Sequence, residues 1–190
     1  MRLTMTAAAG DLCAVADVQA FLSLNTGQDS ALLQTLITNA SAMVMNMLNR
    51  NLLQATYSET RNGVGSDRMA FHEYPVSAVS SVTLDGVAVP LSTGPNVYGY
   101  VFDEKMLYLR NGRFCRGAQN VVIGYTAGYA SVPADVSQAT VEIVATKYKR
   151  RTTIDVSAKT LNGETISFTQ ADIPASANSA LKNYMRVFMA

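Results

Sequence analysis

The stretch NVVIGYTAGYASVPADVSQATVEIVATKYKRR, Asn120–Arg151, changes character halfway along its length. An apolar run predicts a strand over Val121–Tyr125, and a corner rich in glycine and proline follows. Pro133 then precedes a predicted helix over Ala134–Arg150, since proline is favoured at a helix start and Val136, Ala139, Ile143, Val144 and Tyr148 make a broad apolar face. The helix ends on Lys147, Lys149, Arg150 and Arg151. Cations in a last turn oppose the negative end of the helix dipole, each by about 0.3–1 kcal/mol when exposed. The chain's 15 Lys and Arg against 14 Asp and Glu leave a net charge of +1. That balance lacks the basic excess of a domain held to DNA by many phosphate contacts. The four cations are therefore expected to terminate the helix and to meet a subunit or partner, with any DNA contact weak and sequence-blind.

Working towards the N-terminus, the middle of the chain has a period of two. TYSETRNGVGSDRMAFHEYPV predicts two short strands joined as a hairpin around Asn62–Asp67, where glycine and asparagine permit positive backbone angles. Val79, Val82 and Leu84 before Asp85-Gly86, with Val87 and Val89 after it, predict a second hairpin. Further strands are expected at Val97–Phe102 and Met106–Leu109. Upstream lie two helices, over about residues 14–24 and 30–49. Val15, Val18 and Phe21 or Leu22 carry the first, with Gly27 as its stop. Leu32 or Leu33, Leu36 or Ile37, Ala40, Met43 or Val44, and Met47 or Leu48 carry the second, behind an Asp29-Ser30 cap.

Beyond the basic helix, residues 152–174 are polar, with a weak alternation through Ile154, Val156, Ile166 and Phe168. They read as an extended arm, turning at Asn162-Gly163. So little apolar area could not offset the entropy of ordering it alone, so the arm is expected to be mobile in a free subunit and ordered against a neighbour. Leu181, Tyr184 or Met185, and Phe188 predict a final short helix over about 176–188. The fold class is α+β: a small helical bundle with an antiparallel β insertion over about 56–125 and an arm before the C-terminal helix. With 190 residues, 48% of them apolar, one compact domain over 1–190 is the expectation.

Catalytic patterns do not assemble. His72 is the one histidine and falls within a predicted strand, where packing is its expected role. Gly63-Val64-Gly65 begins like a dinucleotide loop, but Arg68 stands at the third glycine position and a strand follows where a helix should. Asp103 and Glu104 are adjacent, so in a strand they point to opposite faces and cannot act as a paired acid and base. Met43, Met45 and Met47 read as core or subunit-contact side chains on or beside a helix stripe, in preference to soft metal ligands. Cys13 and Cys115 lack any CxxC spacing and are expected to be small buried or half-buried hydrophobes. No catalytic, cofactor-binding or metal-binding residue is assigned. No signal-peptide run opens the sequence and no 18 consecutive apolar residues occur, which leads to the expectation of a soluble, cytosolic protein.

The succession DLCAVADVQAFL, LLQTLITNASAMVMNMLNR, YSETRNGVGSDRMAFHEYPVSAVSSVTLDG, VVIGYTAGYASVPADVSQATVEIVATKYKRR and SAKTLNGETISF resembles the head-tail connector, or head-completion adaptor, family of tailed bacteriophages. YTAGY followed by VPADV and a helix with a basic end is its most telling part. Ala14 departs from the pattern, standing where the family often has a Ser or Thr cap. The resemblance implies a non-enzymatic virion protein of the neck, present in the host cytoplasm during assembly. It implies a homo-oligomeric ring, usually of twelve subunits, beneath the portal protein. Such a ring extends the DNA channel and meets the tail or a stopper protein, while DNA passes without sequence-specific binding. Candidate subunit or partner contacts are Lys147, Lys149, Arg150, Arg151, Ile166, Phe168, Tyr184 and Phe188. The alternatives are a tail-side neck or tail-terminator component and, more remotely, a small hydrolase using Asp103 or Glu104.

Overall fold

A computed structural model gives the structure of residues 2–6, 10–151, 158–161, 164–167 and 173–186. The chain divides into two compact units, Met1–Ala9 with Asn51–Ser131 and Gly10–Arg50 with Val132–Ala190. The first is all β and the second is mainly helical, which makes the fold α+β.

In the β unit, β1 (Arg2–Thr6), β2 (Ala55–Gly63), β4 (Val76–Leu84), β5 (Val87–Ala88) and β8 (Gly117–Ala127) form an antiparallel sheet in the order β1-β2-β8-β4-β5. A second sheet has the order β3-β7-β6, from β3 (Arg68–Ala70), β6 (Gly99–Phe102) and β7 (Met106–Arg110). β8 is the middle strand of the larger sheet. Val121, Ile123, Tyr125 and Ala127 are buried at alternate positions along it, as a strand with one face on a core requires. Tyr57, Phe71, Val82, Leu107 and Phe114 join them in one apolar cluster drawn from both sheets.

The second expected hairpin forms: Thr83 pairs with Ala88 and Leu84 with Val87. Asp85 and Gly86 between them have φ of 51° and 80°, the two positive angles of a tight two-residue turn. The first expected hairpin does not form. β2 pairs with β1 and β8, whereas β3 pairs with β7 in the other sheet. Contacts distant in sequence divert the chain here. The Asn120 side chain accepts the Gly63 N–H at 2.8 Å, Phe114 accepts the Gly65 N–H at 2.7 Å, and Asn62 accepts the Gln119 N–H at 2.7 Å. β1 is not among the strands expected from the sequence: Leu3 and Met5 alternate with polar residues, but the run is five residues long and takes its place by backbone pairing with β2. In the YTAGY segment Gly128 has φ 108°, and a Cβ there would lie 2.5 Å from the Leu53 carbonyl oxygen. Only glycine fits that corner.

The helical unit holds α1 (Val15–Leu22), α2 (Ser30–Leu48), α3 (Ala134–Arg150), the paired strands β9 (Ala158–Leu161) and β10 (Glu164–Ser167), and α4 (Ala175–Lys182). Val18, Leu33, Ile37, Ala40, Val44, Leu48, Val136, Ile143, Val144 and Leu181 are buried. Three local expectations are corrected. α1 stops at Ser23 in the left-handed region, four residues before Gly27, with two backbone N–H bonds returning to Gln19 and Ala20. Asp29 precedes α2 but its carboxylate does not cap the helix, because it is engaged elsewhere. α4 ends at Lys182, with Tyr184 in the turn beyond. At Ala14 the carboxylate of Asp17 accepts the cap N–H at 3.2 Å, which compensates in part for the missing hydroxyl. Cys13 is buried, and burial foremost, then Asp17 and Asp11, pushes its thiol up to about 12. Cys115, in the β unit, is exposed, so the expectation of a half-buried hydrophobe fails there; both cysteines are free. Ile154, Val156, Asn162, Gly163 and Phe168 of the expected arm, and Phe188, lie outside the described residues.

Candidate functional site

The basic end of α3 is organised around Tyr148. This residue is buried, and its hydroxyl donates to the Asp29 carboxylate at 2.5 Å. That bond first, and desolvation second, raise the Tyr148 pKa, while the charge of Arg151 opposes them. The Arg151 guanidinium lies over the Tyr148 ring, donates to the Tyr148 carbonyl, and sits 3.7 Å from the same Asp29 carboxylate. One arginine thus satisfies an orphan carbonyl of the last turn, opposes the helix dipole and stacks on an aromatic face.

The other three cations do not join it in a single patch. Lys147 is half-buried, with Nζ 3.7 Å from Met43 Sδ on α2. Lys149 is exposed and Arg150 half-buried, and neither lacks an interaction partner. Helical spacing puts Lys147 and Arg151 together at i and i+4, whereas Lys149 falls on the far side of the helix beside Glu142, Ala145 and Thr146. The arrangement has no convergent cradle for a phosphate. It is a capped helix end on which Lys149 and Arg151 are exposed.

Tyr184 is tied within the unit, its hydroxyl donating to Asp135 at 2.8 Å near the start of α3. Ile166 is in β10, where its backbone position faces that of Lys159. Phe168 and Phe188 lie outside the described residues, so they join no described cluster.

In the β unit the structure brings together a polar group that sequence reasoning missed. Glu59 is fully buried on β2, and its carboxylate accepts the Tyr125 hydroxyl at 2.9 Å and the His72 backbone N–H at 3.3 Å. Arg61 Nε approaches its other oxygen at 3.1 Å. The Tyr125 hydroxyl accepts from the Glu73 backbone N–H at 3.1 Å, and His72 Nδ1 lies 3.1 Å from the Glu73 carboxylate. Burial above all, with the Glu59 charge next, drives the Tyr125 pKa upward. His72 is in a bend between β3 and β4, not in a strand, because these polar partners hold the loop against the sheet. A carboxylate with no exposed surface cannot reach a substrate, so the group pins a loop. The signal available in sequence was a lone Glu at an inward position of an alternating strand.

Asp103 and Glu104 lie between two strands, as the expected bounds Val97–Phe102 and Met106–Leu109 imply. They occupy the turn between β6 and β7, where Asp103 accepts the Lys105 and Met106 N–H groups at 2.8 and 2.7 Å and the Tyr108 hydroxyl at 3.1 Å. Those two backbone bonds, chiefly, hold the Asp103 carboxyl below its ordinary range. All three bonds lie within the β6–β7 connection and the start of β7. Among the described residues no group of three or more His, Cys, Asp or Glu is placed to hold a metal ion.

A family model described as head completion protein matches residues 11–187. No curated protein matches the chain. Several solved structures share its fold. One chain, from a structure described as "Neck of empty GTA particle computed with C6 symmetry", superposes with a TM-score of 0.65 at 20% identity, covering 100% of this chain and 98% of the other. A chain from "Virion of native gene transfer agent (GTA) particle" gives 0.62 at 21% identity with the same coverage. A third, from "Neck of native GTA particle computed with C12 symmetry", gives 0.62 at 19% identity, again over 100% and 98%.

Proposed function

Because this chain belongs to the head completion protein family, we propose that it is a structural protein of the virion neck, forming a ring beneath the portal protein that extends the DNA channel and joins the head to the tail or to a stopper protein. The observation that carries this reading is the family match across residues 11–187. The likeness in fold to chains from neck structures computed with C6 and C12 symmetry supports a ring, with twelve subunits as the working number. The helical and β units act as one connector domain over 1–190, and the protein resides in the host cytoplasm until it joins the particle.

The chemistry is association without a reaction. Of the carboxylates weighed for a hydrolase, Asp103 is held by a turn, and Glu59, which the structure adds, is sealed in a core. Lys147, Lys149, Arg150 and Arg151 contribute helix termination and contact with a subunit or partner; Ile166, Phe168, Tyr184 and Phe188 contribute such contacts alone. DNA passes the ring without sequence-specific binding. A channel that must let duplex slide is poorly served by strong phosphate neutralisation from every subunit, since released counterions would hold the duplex in place.

The test is a pull-down of the portal, stopper and tail proteins with the tagged chain, joined to light scattering of the chain alone and with portal. A ring mass and capture of the portal support the reading. Capture of tail proteins alone would favour the tail-side alternative. A chain that stays monomeric or dimeric with every partner would overturn both.

A further inference from the structure

Positive charge gathers in the β unit on two neighbouring segments. Residues 63–68 and 107–117 hold Arg68, Arg110, Arg113 and Arg116 against one acid, Asp67. The whole chain has a net charge of +1, so this excess leaves the remainder net negative. Arg68, Arg113 and Arg116 are exposed and Arg110 is half-buried. Elsewhere, Arg61 and Arg151 are ion-paired with Glu59 and Asp29. Among the described residues none of the four gathered arginines makes an ion pair or a side-chain hydrogen bond. Like charges held together repel one another, and an anion from outside relieves them.

The backbone fixes this set in place. Arg68 stands opposite Tyr108 in the β3–β7 pair, and Met69, Leu107 and Leu109 are buried in the core, so Arg68, Tyr108 and Arg110 share the outer face of the smaller sheet. The Leu109 N–H donates to the Asp67 carbonyl at 2.7 Å, the Phe114 N–H to the Ser66 carbonyl at 2.8 Å and the Gly65 N–H to the Phe114 carbonyl at 2.7 Å. Phe114 is fully buried and anchors the connection between β7 and β8, while Arg113 and Arg116 on either side of it face water. The Arg116 stem crosses Gly65, where a Cβ would lie 3.4 Å from Arg116 Cγ. The acids at hand are engaged: Asp103 accepts from its turn and from the Tyr108 hydroxyl, and Asp67 accepts the Ser66 hydroxyl at 3.4 Å.

From Tyr108 to Arg110 the strand advances about 7 Å, and Arg113 and Arg116 lie beyond it in the connection to β8. Guanidinium groups strung out in this way suit a linear polyanion with repeating phosphates, whereas a small anion needs donors that converge on it. We propose that this arginine row is the surface on which each subunit meets the phosphate backbone of duplex DNA, an inference that rests on the ring reading above. Contacts to phosphate carry no sequence information. Affinity falls with salt by a slope of about 0.9 per phosphate contacted, so a few contacts per subunit stay loose enough for the duplex to slide. The basic end of α3, whose Arg151 is tied to Asp29 and Tyr148, is then not the charge that faces DNA.

The test uses the full chain and a short labelled duplex, with anisotropy read from low to physiological salt. Wild type is expected to bind at low salt, to release as salt rises, and to treat unrelated sequences alike. Arg68→Gln with Arg113→Gln is expected to weaken binding about tenfold at low salt and to flatten the salt slope by about two. Arg150→Gln with Arg151→Gln removes the same charge and is expected to change neither. Asp67→Asn removes the row's acid and is expected to tighten binding, a gain that tests the row even if the first Gln pair fails to fold. Equal losses in the two Gln pairs, no gain in Asp67→Asn, or a wild-type chain that ignores duplex at low salt overturns the proposal. Portal capture lost in Arg68→Gln with Arg113→Gln at unchanged duplex affinity would assign the row to an acidic protein face and overturn it too. Light scattering with portal reports the ring separately: arginine-dependent binding by a chain that forms no ring upholds the row and overturns the ring reading.

Discussion

Arg151 stacks on Tyr148: its guanidinium carbon lies 3.7 Å from the centre of the ring, and its Nη1 donates to the Tyr148 carbonyl oxygen at 2.8 Å. Arg151→Ala removes the side-chain bond to the carbonyl and the cation-ring contact together, while the backbone N–H of residue 151 still reaches that carbonyl at 3.4 Å. The cost is expected to be about 1 kcal/mol in urea unfolding, taking the exposed values for dipole and cation-π terms. Lys149→Ala, which removes an exposed cation from the opposite side of the helix, is expected to cost less. Equal losses for the two variants would mean that charge near the helix end matters and the stacking does not.

Arg150→Gln with Arg151→Gln is expected to weaken assembly or the helix end more than it weakens any binding of duplex DNA by the free subunit. Free chain that binds duplex with submicromolar affinity at physiological salt, and loses it in this double variant while assembling normally, would contradict the assignment.

Tyr125→Phe deletes a hydroxyl that donates to Glu59 and accepts from the Glu73 backbone. The carboxylate left behind is fully buried, so a loss of about 1–3 kcal/mol is expected. Since the folded-state pKa of Tyr125 is raised, its contribution is complete below the unfolded tyrosine value near 10 and falls away as pH rises further. Ultraviolet titration should show at least one tyrosine that ionises only with unfolding. A Tyr125→Phe chain with the same tyrosine titration as wild type would show that another residue is responsible.

Gly128→Ala and Gly86→Ala separate two demands on glycine. Both positions have positive φ, but a Cβ at Gly86 meets nothing within 4 Å, whereas at Gly128 it meets the Leu53 backbone at 2.5 Å. Gly86→Ala is expected to cost about 1–2 kcal/mol from backbone conformation alone. Gly128→Ala should cost clearly more, because two backbone segments must separate. Thermal unfolding of both variants decides the order.

Asp103 has a lowered pKa in the folded chain. Its contribution is therefore present above the unfolded aspartate value near 4 and is lost as pH falls through the folded one. Hydrogen exchange of the Lys105 and Met106 amides should quicken on acidification relative to the sheet interior, and Asp103→Ala should show the faster exchange already at neutral pH. Unchanged protection in that variant would place the hold on the turn elsewhere.

Elements whose signals are local were legible in the order of residues. The 3.6-residue repeat in α2 and α3, Pro133 at a helix start and Asp85-Gly86 at a tight turn each act within a few residues, and each stands where the periodicity and turn chemistry put it. The resemblance carried by the order of those pieces agrees with the head completion family match. Tertiary structure alone decided what depends on residues far apart in the chain. The strand partners of Ala55–Gly63 are chosen by the long central strand Gly117–Ala127 and by Asn120, about sixty residues away, so a local hairpin signal at Asn62–Asp67 loses. Arg2–Thr6 offers an apolar alternation of two residues alone, Leu3 and Met5, and its place in the sheet comes from backbone pairing with a strand some fifty residues on. The cations of Lys147–Arg151 are adjacent in sequence yet divided by helical geometry, with Arg151 fixed by an aspartate at position 29. Local patterns report the cost of bending a chain one way or another, whereas partners are selected by burial and hydrogen bonds that exist only once distant segments have met.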